Sequence, residues 1–124
     1  MVVRYLVGSP KDQAARAAQL IDSDLEIGVS LVVIAETAHV LRSFYRIPRA
    51  DLVDVLIDLM TKVNVSPIEI STPEVIDALV RARALESAPI TDALIAASAR
   101  AHGALPVYAF DKKFGRLGAA TANP

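Results

Sequence analysis

The sequence predicts one α/β domain over residues 1–124, built on a mainly parallel sheet, and three observations carry that prediction. Short apolar runs rich in β-branched residues alternate with longer segments of helical period, the order of strand–helix–strand units. Hydrophobic residues make up 53% of the chain but aromatics only 5%, so the core must be packed with Ala, Val, Leu and Ile. The stretch PITDALIAASARAHGALPVYAFDKKF, residues 89–114, joins a small-residue apolar helix to an apolar strand that ends abruptly in Asp111. In open α/β sheets ligands sit outside the carboxyl ends of strands, which is where Asp111 falls.

Taken in order, residues 1–8 (MVVRYLVG) read as the second half of a buried element that starts without a lead-in. Gly8, Ser9 and Pro10 break it, and residues 11–21 read as an Ala-rich helix. A short strand over 25–29 follows. Ser30 caps a helix over about 31–46, apolar nearly all round in its first two turns. Pro48 and Arg49 open another helix to about Lys62, with Leu52, Val55, Leu56 and Leu59 at helical spacing and Asp51, Asp54 and Asp58 facing out. Residues 65–70 read as a short or edge strand because Pro67 removes a backbone donor. Ser71 or Thr72, Pro73 and Glu74 start a helix to about Glu86. In the next helix Thr91 is the expected N-cap, Asp92 sits in the first turn where negative charge is favoured, and Gly103 is the stop. Residues 105–110 (LPVYAF) read as a buried strand, and the tail as a loop with a last edge strand.

The totals exclude several function classes. With no cysteine there is no disulfide framework, thiolate metal site or cysteine nucleophile. No apolar run approaches the roughly 20 residues of a membrane helix, and no secretory signal pattern is present, so a cytoplasmic protein is expected. A net charge of −1 gives no global field for a polyanion, and any such binding must come from local patches.

Three acids stand at the ends of apolar elements. Glu36 has Val32, Val33, His39 and Val40 as its helical neighbours, so it is expected to share an apolar face. Carboxylates in such places are paired or metal-bound; a pairing with Arg42 or Arg4 is the plain alternative. Asp92 also has a plain reading, since an acid in the first turn stabilises a helix by about 0.3–1 kcal/mol. Asp111 does too, because Asp after a strand is a common turn former. The remaining acids, among them Asp22, Asp54, Glu69, Glu74 and Asp77, read as solvated faces.

In order along the chain stand RYL, AETAHVLRS, ITDALIAASARAHG and, after a strand, FDKKFGRL. This series resembles the PIN domain, most closely the toxin of VapBC-type toxin–antitoxin pairs, over essentially the whole chain. The resemblance implies a three-layer α/β/α sandwich and a Mg²⁺- or Mn²⁺-dependent ribonuclease whose acids converge on the metal. By position Glu36, Asp92 and Asp111 would be three of those ligands and the catalytic residues. It also implies an RNA substrate, a cognate antitoxin and a homodimer. The family's first acid, in a D-x-N motif, would fall a few residues ahead of Met1 by register, so the first strand is expected to be truncated here. Two further positions depart from the family pattern: Ala109 stands where Ser or Thr is common, and Lys113 where a further acid often stands.

Hydrolysis of a phosphodiester needs a nucleophilic water and relief of negative charge, both of which an oxygen-ligated divalent cation supplies. Basic residues offer a path for RNA: Lys112, Lys113 and Arg116 follow Asp111, and Arg42, Arg46 and Arg49 cluster after Glu36. His39, three residues after Glu36, makes a Glu-x-x-His pair, but a single copy without a four-helix pattern does not build a di-iron site. The competing reading is a degenerate module of the same family that binds antitoxin or RNA without cleaving. A phosphoacceptor receiver domain would need paired acids after the first strand and a lysine after the last, and neither is evident.

Overall fold

Alternating apolar and polar faces decide where the helices of this chain lie. A computed structural model describes residues 1–110 and 113–124. In chain order it has α1 (Val2–Val7), α2 (Lys11–Ile21), β1 (Ile27–Val29), α3 (Leu31–Ser43), α4 (Arg49–Met60), β2 (Val65–Pro67), α5 (Thr72–Ala84), α6 (Ile90–Ala101), β3 (Val107–Tyr108), α7 (Lys113–Arg116) and β4 (Thr121–Ala122). The core runs through α4, where Leu52, Val53, Leu56 and Met60 are almost wholly buried, and continues into Val75 and Leu79 of α5. Helix α5 lies between α4 and α6, and α3 packs against both α4 and α6. The buried residues of α5 and α6 include Ala78, Ala82, Ala93, Ala96 and Ala97, and such short side chains let helix axes approach closely. Among the described residues no helix is long and apolar enough to cross a membrane.

The strands are parallel, as expected, but they form two separate pairs rather than one continuous sheet. Strand β1 pairs with β2 in the register Ile27↔Val65, Gly28↔Ser66, Val29↔Pro67. Strand β3 pairs with β4, Val107 opposite Thr121 and Tyr108 opposite Ala122. Asn64 anchors the first pair: its side-chain amide donates to the carbonyls of Ile21, Ser23 and Leu25 at 2.9, 3.0 and 3.0 Å, and its own carbonyl accepts from the Ile27 N–H at 2.7 Å. One side chain thereby fixes the exit from α2 and the entry to β1.

Three expectations are corrected. Residues 1–8 are not the tail of a truncated strand; Val2–Val7 is the helix α1. Val2, Tyr5 and Leu6 stand at helical spacing and turn inward, and Gly8 ends the helix in the left-handed region (φ 77°), its N–H donating to the Arg4 carbonyl. The β-branched content suggested a strand, but spacing and cap decide. Residues 105–110 are not a buried strand: only Val107 and Tyr108 pair, and Tyr108 and Phe110 are 68% and 88% exposed. A two-residue pair at the surface has nothing to cover its outer face. The N-cap of α6 is Pro89, not Thr91, which is the second helical residue. Proline has already given up its N–H and holds the extended φ and ψ that an N-cap needs.

Several acids expected to be merely solvated hold the fold together. Glu69 accepts from the Leu31 N–H with both oxygens (3.0 and 3.2 Å), adding a carboxylate to the start of α3, where Ser30 accepts from the Val33 N–H. Asp77 joins Arg81 (2.8 Å) to Arg100 (3.2 Å), and Arg100 donates onward to the carbonyls of Leu117 and Gly118. Asp54 pairs with Arg83, and Asp22 with Lys62 and the Tyr5 hydroxyl. Glu74 and Ser71 form a reciprocal capping box on α5.

Two predictions follow from these contacts. Replacing Asn64 by Ala leaves three carbonyls short of a donor and should cost about 1–3 kcal/mol in urea unfolding at unchanged m. Asn64→Asp should cost more, because it sets a carboxylate against the same carbonyls. Hydrogen bonds from Ser71 hold the Glu74 carboxyl below its ordinary range, and Lys62 and then Tyr5 do the same for Asp22. A depressed carboxyl stabilises the fold above its unfolded pKa and loses that contribution as pH falls through its folded value. Stability should therefore decline as pH drops below about 4.5, and Glu74→Gln should flatten that decline; an unchanged slope would remove Glu74 from the account.

Candidate functional site

Helices α3 and α6 deliver Glu36 and Asp92, and the way these helices meet decides what the two carboxylates can share. Leu31 and Val32 at the start of α3 share a groove with Ser98 and Ala99 near the end of α6. His39 and Arg42, later in α3, share a second cleft with Pro89, Ile90 and Thr91 at the start of α6. The two helices thus run antiparallel, and Ala35 and Thr91 line both hollows. Glu36 and Asp92 each follow one member of that shared pair in the sequence, and neither of them lines either hollow.

The expectation that Glu36 lies among apolar neighbours holds, but that face is not buried. Val32 is 73% exposed, Val33 40%, and Glu36 itself is exposed. The reason is that α3 turns Ile34, Ala38 and Leu41 into the core, leaving the Val32–Glu36–His39 strip outward. Asp92 is half-buried in the first turn of α6. Among the described residues neither carboxylate takes part in an ion pair, so neither the Arg42 nor the Arg4 partner for Glu36 is present. Asp51 and Asp58 share that solitude, so the lack of an ion pair does not by itself mark Glu36 and Asp92.

Asp111 and Lys112 lie outside the described residues, as does the side chain of Lys113. Among the described residues no three of His, Cys, Asp and Glu come together in a group able to hold a metal ion. Arg116 is exposed at the end of α7, and Arg46 is exposed in the α3–α4 turn with φ 55°. Neither lines a hollow shared with the seam.

Arg42 does line one. The cleft, about 240 Å³, has His39, Arg42 and Arg49 on one side and Ser87 and Thr91 on the other. Arg49, at the start of α4, reaches to the far end of α5: its Nη1 donates to the carbonyls of Ala82 at 2.9 Å and Ala88 at 2.5 Å, with Leu85 at 3.5 Å. These are carbonyls of the last helical turn and the loop beyond it, where a cation and a donor are both favoured. Burial, and then the Arg42 charge, hold the Arg49 guanidinium below its ordinary pKa, while Glu86 acts the other way. His39, Ser87 and Thr91 were not read from the sequence as members of any site. Their signal was present for one wall: Ala35, Ala38, His39 and Arg42 recur at helical spacing on a single face of α3.

Carboxylate oxygens such as those of Glu36 and Asp92 are donors of the kind a hard cation such as Mg²⁺ takes, using one or two of them and keeping several waters. The donor set lacks sulfur and is not built around imidazole, which disfavours the softer transition metals. No curated protein and no solved structure matches the chain. The PIN domain family does match it, over residues 2–120, nearly its whole length. The chain belongs to the PIN domain family, whose members are generally nucleases that work with divalent metal ions.

Proposed function

We propose that this protein is a metal-dependent endoribonuclease, the toxin of a toxin–antitoxin pair, hydrolysing RNA phosphodiester bonds with Mg²⁺ or Mn²⁺. The observation that carries the reading is the match of the PIN domain family over residues 2–120, a family whose members are generally nucleases that work with divalent metal ions. Glu36 and Asp92 would hold the cation, with Asp111 as the third ligand that the resemblance implies. A bound cation supplies charge neutralisation at the phosphate and a more acidic water.

The chain's own residues do the rest. Two carboxylates brought together without a cation repel at about 1 kcal/mol or more when well solvated, so the pair favours a positive charge. A carboxylate on the seam accepts a hydrogen bond from an attacking water and orients it. Asp92 stands in the first turn of α6, where the helix field favours negative charge. Arg42 offers a charge-assisted donor to the phosphate oxygens from the adjoining cleft.

A protein partner is supported by the exposed apolar strip of Val32, Val33 and Ile95 beside the same seam. An antitoxin segment laid there would cover the carboxylates, and a second copy of this chain in a homodimer would bury the same kind of surface. The alternative, a module that binds antitoxin or RNA without cleaving, is favoured by Ala109 and Lys113, which replace side chains the family uses at its site.

Calorimetric titration with Mn²⁺ and Mg²⁺, paired with a cleavage assay on single-stranded RNA, separates the two. Glu36→Gln and Asp92→Asn should each abolish metal binding and lower cleavage at least 100-fold. Both should leave the fold within about 1 kcal/mol, since one carboxylate is a surface group and the other contributes only a helix-end charge. Metal binding that survives both substitutions would move the site elsewhere. No binding by the wild type would leave the non-cleaving module.

A further inference from the structure

The cleft where α3 meets the start of α6 carries two cations that no anion of the described residues joins. Arg42 and Arg49 line it together, near enough for one charge to act on the other, yet neither makes an ion pair among the described residues. Elsewhere Arg81 and Arg100 pair with Asp77 and Arg83 with Asp54, while Arg4, Arg16, Arg46 and Arg116 join no ion pair among the described residues; what sets Arg42 and Arg49 apart is that they share one cleft. Two like charges held in a partly apolar hollow repel more than they would in water, and an anion between them turns that repulsion into attraction.

The hollow also holds its donors ready. Arg49 is fixed by its three carbonyl contacts through Nη1, and its Nε and Nη2 have no acceptor among the described residues. A guanidinium pinned along one edge keeps a planar fork available on the other, the geometry that fits phosphate oxygens. Ser87 and Thr91 add hydroxyl-bearing residues to the same lining. Ile90 and Thr91 are the first two residues of α6, so their N–H groups have no acceptor within the helix and add to the same positive end. His39 contributes an imidazole nitrogen to the same lining. The volume, about 240 Å³, falls below the roughly 300–1,000 Å³ typical of whole-ligand pockets, which suits one phosphate rather than a nucleoside.

We propose that the cleft formed by His39, Arg42, Arg49, Ser87 and Thr91 is an oxyanion subsite that seats one backbone phosphodiester of the RNA strand where α3 meets the start of α6. It rests on the ribonuclease reading for its ligand, but its occupancy needs no metal. The subsite holds the strand at one fixed phosphate. Because its contacts are to phosphate alone, it positions the strand and reads no bases.

The test is binding of a short single-stranded RNA oligonucleotide in EDTA, measured by fluorescence anisotropy across a salt series. Arg42→Ala should weaken binding about 5- to 20-fold and lower the magnitude of the log–log salt slope by about 0.7, one phosphate contact on a single strand. Arg16→Ala, the same charge change on exposed α2 away from the cleft, should leave both unchanged. Arg49→Lys keeps the charge but loses the fork and should weaken binding at a melting temperature checked in parallel. Inorganic phosphate at millimolar levels should compete with RNA on the wild type and not on Arg42→Ala. Equal effects of Arg42→Ala and Arg16→Ala would overturn the proposal. So would binding of inorganic phosphate without binding of RNA, which would make the cleft a site for a free oxyanion. Failure of the nuclease reading shows separately, as absence of metal binding or cleavage with the metal-free RNA affinity intact.

Discussion

The contact on which the functional half of this structure turns is the reach of Arg49 from α4 to the carbonyls of Ala82, Leu85 and Ala88. Helix α5 ends at Ala84 and α6 begins at Ile90, so a short loop must reverse the chain while its carbonyls point away from any helical partner. Unsatisfied carbonyls at a half-buried turn cost free energy of the order of 1–3 kcal/mol each, and a single guanidinium meets three of them. By closing that turn Arg49 sets where α6 starts, and therefore where Thr91 and Asp92 stand relative to α3. The same side chain then lines the cleft beside them. A structural clamp and a binding wall are here one residue, which is why its substitution by alanine would confound stability with affinity.

Small side chains complete the arrangement. Ala35 and Ala38 on α3 and the buried alanines of α6 leave room at the helix seam that larger residues would fill. Two hollows remain, one apolar along Val32 and Ile95 and one cationic around Arg42 and Arg49. The seam therefore presents apolar surface at the start of α3 and basic surface towards its end.

Much of this was legible from residues alone, and the failures have physical causes. Helices α3 to α6 were read within a few residues because their apolar positions recur at 3, 4 and 7 and their caps, Ser30 and Ser71, are strong. Glu36 and Asp92 stand out in the sequence because an acid beside an apolar run needs a reason. Residues 2–7 were misread because Val and Tyr favour strands in general, whereas Gly8 and the inward Val2, Tyr5 and Leu6 favour a helix here. The strand over residues 105–110 was overestimated because a run of apolar residues does not say whether anything will cover it. Arg49 and Asn64 could not be assigned their roles from sequence: their partners lie 33 to 43 residues away, and no local pattern marks a side chain that will meet distant carbonyls.

Net charge sharpens what the cationic cleft must do. At −1 the whole chain offers no long-range attraction to a polyanion, and acids outnumber Lys and Arg by 14 to 13. Association with RNA cannot then be steered by the overall field as it is for strongly basic proteins. Affinity has to arise at contact distance, where a few cations in a partly apolar hollow are screened far less than exposed ones. Arg42, late in α3, and Arg49, at the start of α4, put two such cations on one cleft, neither with an ion-pair partner among the described residues. Contact-distance attraction for an oxyanion is therefore concentrated at that cleft rather than spread over the surface.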